Sequence, residues 1–121
     1  MTNTHPKLTE QECFTKVKNH LLKQNRQATY TNAMHDIVCM YRGEDKTACA
    51  IGCLIPTGMY RKDMEGTSAG RLGRIYPNLP FSGLNEDWLN RLQEIHDDYP
   101  PEDWPTFLKG FADNYELEYD L

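Results

Sequence analysis

No stretch of this 121-residue chain approaches the roughly 20 consecutive apolar residues of a membrane-spanning helix, so no membrane association is expected. The phosphate-cradling loops G-x-G-x-x-G and G-x-x-x-x-G-K-[ST] are missing, as are H-E-x-x-H and the EF-hand loop. Their absence argues against dinucleotide, nucleoside triphosphate, zincin and calcium chemistry of the usual kinds. Basic residues do not gather into a stripe with interleaved aromatics, and direct nucleic-acid binding is not expected. The opening MTNTHPKLTEQE lacks the apolar centre of a secretory signal. The expected location is therefore cytoplasmic, where the four cysteines stay reduced unless a metal or a catalytic role claims them.

Hydrophobic residues at 39% and charged residues at 26% suit one globular domain that buries a core without staples. Neither linkers nor repeats interrupt it. The formal charge of −5 conceals a split: residues 1–84 hold eleven Lys and Arg against seven Asp and Glu, or +4, whereas residues 85–121 hold two against eleven, or −9. Two readings follow. Either the acidic part docks on the basic part and shows its surplus charge to solvent, or the acidic face imitates a polyanion and competes for a basic surface on another protein.

The most apolar stretch, IVCMYRGEDKTACAIGCLIP from Ile37 to Pro56, carries three of the four cysteines and organises the rest. Ile37, Cys39 and Tyr41 alternate with Val38 and Met40, which predicts a short strand. Turn formers from Arg42 to Thr47 follow. An antiparallel return from Ala48 then sets Cys39 near Cys49, because facing residues of a hairpin lie roughly 5 Å apart. Residues 49–55 read as a buried strand or one buried helical turn, with the turn preferred.

Elsewhere helices are expected. Thr9 and Glu12 form a capping box, with Leu8 and Cys13 as its staple, opening a helix that ends near Gln24. Its packed stripe is Cys13, Phe14, Val17, Leu21 and Leu22, with Lys16, Lys18 and Lys23 off it. Residues 25–36 read as a loop. A brief helix over 68–75 is weakened by Gly70 and Gly73, since each glycine costs about 1 kcal/mol against alanine. A second long helix runs from Asn85, with Leu84, Trp88, Leu89, Leu92, Ile95 and His96 on one side, and stops at Pro100-Pro101. A third covers Glu102 to Tyr115 through Trp104, Phe107, Leu108 and Phe111, and the tail beyond it frays or docks at an edge. The fold class is α+β, about three main helices packed around a small antiparallel β-hairpin.

Several side chains are candidates for chemistry. His35, Cys39, Cys49 and Cys53 read H-x3-C-x9-C-x3-C, a set from which zinc takes its four tetrahedral ligands if a hairpin closes them together. The spacing is not the usual C-x2-C knuckle, and buried inert thiols are the competing account. Cys49 at a helix start with His96 as base is the catalytic candidate, since a helix amino terminus favours a thiolate. Adjacent residues on a helix diverge by about 100°, which leaves Asp97 badly placed to orient His96. Arg61, Lys62, Arg71 and Arg74 make a small anion patch or simply face solvent. Glu94, Asp97, Asp98, Glu102 and Asp103 form the acidic surface expected to meet a basic partner.

The blocks CMYRGEDKTACAIGCLIP, MEG at 64–66 and LQEIHDDYPPEDW at 92–104 resemble a family of small proteins recurrent in bacterial and bacteriophage genomes, whose members are uncharacterised. The likeness covers most of residues 13–115, and CAIGCLIP is its specific part. It carries over no catalytic residue. What it implies is a phage or mobile-element origin, hence a part in host takeover or in blocking host defence. The expected function is thus binding, with inhibition of a host defence or nucleic-acid-handling protein through the acidic surface. The alternatives are a small enzyme or ligand-binding protein using Cys49 and His96, or a zinc-stabilised binding module.

Overall fold

Helix α1 (Glu10–Gln24) starts at the capping box: the Thr9 hydroxyl accepts the Glu12 amide at 3.1 Å and the Glu12 carboxylate accepts the Thr9 amide at 2.9 Å. The computed structural model describes residues 6–120, so the first five residues, on which part of the leader reading rests, and Leu121 lie outside the description. Cys13, Phe14, Val17 and Leu21 are buried on α1 as the stripe predicts, whereas Leu22 is half-exposed. Lys18, expected off the packed face, is buried at 6% exposure. Its ammonium donates to the Tyr119 carbonyl and lies 4.9 Å from that ring's centre. A long side chain can bury its stem wherever the head finds acceptors, and the docked tail supplies them.

Asn25 closes α1 in the left-handed region at φ 51°. The following residues are not a loop. They form the hairpin of β1 (Thr29–Thr31) and β2 (Ile37–Cys39), paired antiparallel with Thr29 opposite Cys39, Tyr30 opposite Val38 and Thr31 opposite Ile37. The Asn32 side chain makes the turn, accepting the amides of Met34 and Asp36 at 2.9 and 3.0 Å. The strand expected over residues 37–41 is present, but its partner lies upstream rather than at Ala48. Only a single bridge, Arg42 to Ala48, survives of the expected return. Cys39 therefore faces Thr29 and not Cys49, and all four thiols are free.

Residues 48–55 fold into the core as the preferred helical turn, a 3₁₀ turn at Gly52–Leu54. Gln24 grips its approach: its amide donates to the Ala48 carbonyl at 3.0 Å and its oxygen accepts the Ala48 amide at 2.9 Å. Helix α2 (Ala69–Ile75) is the brief helix, and its glycines have a reason that outweighs propensity. A Cβ on Gly70 would lie 2.7 Å from Glu86 Cβ and 2.8 Å from the Glu86 carbonyl oxygen, so only glycine lets α2 touch the next helix.

Helix α3 (Glu86–Asp98) is capped by Asn85, which accepts the Trp88 amide at 3.0 Å, and buries Trp88, Leu89, Leu92, Ile95 and His96. Helix α4 (Trp104–Asn114) packs back on it through Trp104, Leu108 and Phe111, with Trp88 edge-on to Phe111 at 5.3 Å. Phe107 sits outside this core and stacks on Tyr99 at 3.6 Å instead. The tail docks on α1 rather than fraying, where Gln11 and Glu118 exchange bonds of 2.8 and 2.9 Å. These elements make the expected α+β fold: helices packed around one small antiparallel hairpin.

Candidate partner-binding cleft

The buried polar groups of the fold converge where the hairpin base, the 3₁₀ turn and α3 meet. Gln93 is buried on α3 because its side chain has two partners: its oxygen accepts the Ile51 amide at 2.9 Å and its NH₂ donates to Asp97 Oδ1 at 2.8 Å. The same carboxylate oxygen lies 2.7 Å from His96 Nδ1. On the far side of that ring, Nε2 accepts the Ala28 amide at 2.8 Å. An amide nitrogen can only donate, so Nε2 carries the lone pair and Nδ1 carries the hydrogen. His96 is fully buried, stacked near Trp104 at 5.6 Å, and satisfied at both nitrogens. The expectation that Asp97 cannot orient His96 is wrong. Directions of the two Cβ bonds diverge, but rotation about both side chains brings Nδ1 and the neighbouring carboxylate together.

Outward of this network opens a cleft of about 440 Å³, lined by Cys39 and Tyr41 from the hairpin strand and its continuation, by the segment 65–69, and by Asn90, Gln93, Glu94 and Asp97 of α3. Three of the lining residues are carboxylates and none is Lys or Arg. Glu65 is held by three donors: the Tyr41 amide at 2.8 Å, the Arg42 amide at 3.1 Å and the Tyr60 hydroxyl at 2.6 Å. The Cys39 sulfur lies within 4.8 Å of a ring nitrogen of His96 and a carboxylate oxygen of Asp97. Burial pushes its thiol up to about 11, and the Asp97 charge and the hydrogen bond to Asp97 add to the rise.

The other predicted residues scatter. Cys49 is fully buried and its sulfur accepts the Gly52 amide at 3.2 Å, so it does stand at the start of a helical turn. Burial nonetheless drives its pKa well up, because the desolvation outweighs that one amide. Cys53 donates to the Ala50 carbonyl at 3.1 Å, and burial raises it to about 12. His35 occupies the hairpin tip at φ 67°, and it is not in the group of ligand atoms that gathers around Cys39. His35, Cys39, Cys49 and Cys53 thus do not close into one tetrahedron. Among the described residues the group with metal-like spacing is Cys39, His96 and Asp97. An ion taking the Nδ1 lone pair would force the hydrogen onto Nε2 and orphan the Ala28 amide, so this donor set fits a metal poorly.

The five acidic candidates are placed differently. Glu94, Asp97, Asp98, Glu102 and Asp103 are all exposed, on α3 and the turn after it. Asp97 contacts the neutral His96. The other four form no ion pair with Lys or Arg among the described residues. Of the anion-patch candidates, Arg61 pairs with Asp63 at 3.8 Å and Arg74 with Glu86 at 3.7 Å. Sequence reasoning gave Glu65 and Gln93 no role although both lie in the blocks that carry the resemblance, since their roles depend on amides brought from Tyr41 and Ile51. Comparison of the chain with protein families, with curated proteins and with solved structures finds no match.

Proposed function

We propose that this protein acts by binding, and that the acidic face of α3 and the following turn, with the Cys39–Asp97 cleft at its side, engages the basic surface of another protein. The observation that carries the reading is the unpaired charge: Glu94, Asp98, Glu102 and Asp103 face solvent and form no ion pair with Lys or Arg among the described residues, and the adjoining cleft has a carboxylate rim. Among the described residues, Arg74–Glu86 joins the basic and acidic parts of the chain, at 3.7 Å between two largely exposed side chains, so this pair spends little of the −9 surplus on docking the molecule to itself. The resemblance to small bacterial and phage proteins makes a host protein the partner of first choice. Its binding then blocks a basic, nucleic-acid-handling or defence surface by occupying it.

A thiol-based activity is the second reading, favoured by one observation, the approach of Cys39 to His96 and Asp97. It would run through Cys39 and not Cys49. Its chemistry is handicapped, because His96 has no free lone pair to take a proton and Cys39 is far from thiolate at neutral pH.

The test is capture from bacterial lysate on the immobilised protein and, in parallel, on a variant with Glu94, Asp98 and Glu102 changed to Lys. A protein retained by the native chain, released by salt and absent from the variant supports the reading. Equal retention on both contradicts it.

A further inference from the structure

The hairpin leaves one strand edge open beside the cleft. The Met40 amide donates to the Ala28 carbonyl at 2.9 Å and the Asn32 amide to the Asp36 carbonyl at 3.0 Å. In an antiparallel ladder these contacts alternate with outward-facing groups, so Tyr30 and Val38 pair inward while the amides and carbonyls of Thr29, Thr31, Ile37 and Cys39 point outward. On the β1 side the edge is crowded at its start, since a Cβ on Gly43 would lie 2.5 Å from the Thr29 nitrogen. On the β2 side, the next outward amide, that of Tyr41, is taken by Glu65. The backbone groups of Ile37 and Cys39 have no hydrogen-bond partner among the described residues.

Native sheets shield such edges with charge, proline or a covering element. Here the edge carries Ile37, 73% exposed, with Met34 at 79% beyond it at the turn. Ile37 and Cys39 share a face of β2, because side chains alternate along a strand, and Cys39 lines the cleft with Glu65, Glu94 and Asp97.

We infer that the outer edge of β2 receives an extended peptide segment of the partner as a third strand, seating a lysine or arginine in the cleft and an apolar residue two positions away against Ile37. This rests on the binding reading above and names its mode. Backbone pairing to Ile37 and Cys39 supplies sequence-independent affinity, as in other cases of strand addition. The carboxylates select the basic side chain, and the two-residue spacing follows from the pleat.

The probe is a capped valine-threonine-lysine-threonine-valine peptide, titrated against the native protein with amide exchange read at Ile37 and Cys39. Strand addition protects both amides. Methylating the peptide nitrogens of one alternating set should weaken binding about tenfold or more, while methylating the other set changes little, since one set faces β2 and the other faces away. Equal effects from both sets, no protection at residues 37 and 39, or no binding by this peptide overturns strand addition. So does a concentration-dependent dimer that protects the same amides without peptide, which would make a second copy the occupant. Failure of the binding reading itself looks different: peptide affinity that ignores salt and is unchanged when the lysine is replaced by glutamate.

Discussion

The Ala28 amide donates to His96 Nε2 across 2.8 Å, joining the start of the hairpin to the last turn of α3. Gln27 strengthens the same joint by donating to the carbonyls of His96 and Tyr99 at 2.8 and 3.3 Å. The position of the hairpin, and with it the β2 edge of the cleft, depends on a histidine that has given both ring nitrogens to structure. Replacing His96 with Ala should cost about 2 to 5 kcal/mol, through the emptied volume and the stranded Ala28 amide. Chemical denaturation measures the loss. Nitrogen shifts of the ring should show hydrogen on Nδ1 alone; a hydrogen on Nε2 would disprove the network as drawn.

Cys39 should be the first thiol to react, because Cys13 and Cys49 are fully buried. A pKa raised from about 9 to about 11 keeps it protonated across the neutral range. Its alkylation rate should therefore still be climbing at pH 10 instead of levelling near pH 9. Changing Asp97 to Asn removes a negative charge and an acceptor that favour the protonated thiol, so Cys39 should react faster at pH 9 while Cys49 stays silent. An unchanged rate would separate the two side chains.

Gly70 sits inside a helix, where alanine ordinarily improves stability by about 1 kcal/mol. At this position the Cβ would meet Glu86 at 2.7 Å, and that approach is in part to backbone. Gly70→Ala should destabilise by about 1 to 3 kcal/mol, the usual cost of overpacking. A stabilised variant would mean that α2 and α3 stand further apart.

Leu92, on α3, is fully buried in the core. Leu92→Ala should cost about 2 to 5 kcal/mol in denaturant unfolding. A near-neutral result would remove it from the core.

Local signals account for what was legible in the sequence. Thr9 and Glu12, Ser68 and Asn85 mark helix starts through contacts within three residues, and the stripes of α3 and α4 are periodic. The pairing of β2 was not legible. Thr29-Tyr30-Thr31 is short and polar on both flanks, and its strand character comes from the Asn32 turn and from His96 holding Ala28. Nor was the inner cleft, because Cys39 and Asp97 lie far apart in the chain and meet only after α3 has docked on the hairpin. Phe107 and Lys18 depart from their helical patterns because each meets a partner the pattern cannot see, Tyr99 and the distant Tyr119.

The acidic face should matter for association and hardly for folding. Asp98 and Glu102 are exposed and make no ion pair among the described residues, so changing both to Lys should move stability by less than about 0.5 kcal/mol while slowing capture of a basic partner. Lost stability with capture intact would show that these charges hold the protein's own helices.

The most direct measurement is an amide-resolved NMR titration of the native protein with a lysine hexapeptide at low salt. Perturbations should cluster at residues 94–103 and at Cys39 and Tyr41, and should collapse as salt rises, because exposed charges are screened beyond roughly 8 Å at physiological ionic strength. Perturbations centred instead on Glu116, Glu118 and Asp120 of the tail, or spread evenly over all acidic residues, would contradict a binding face on α3.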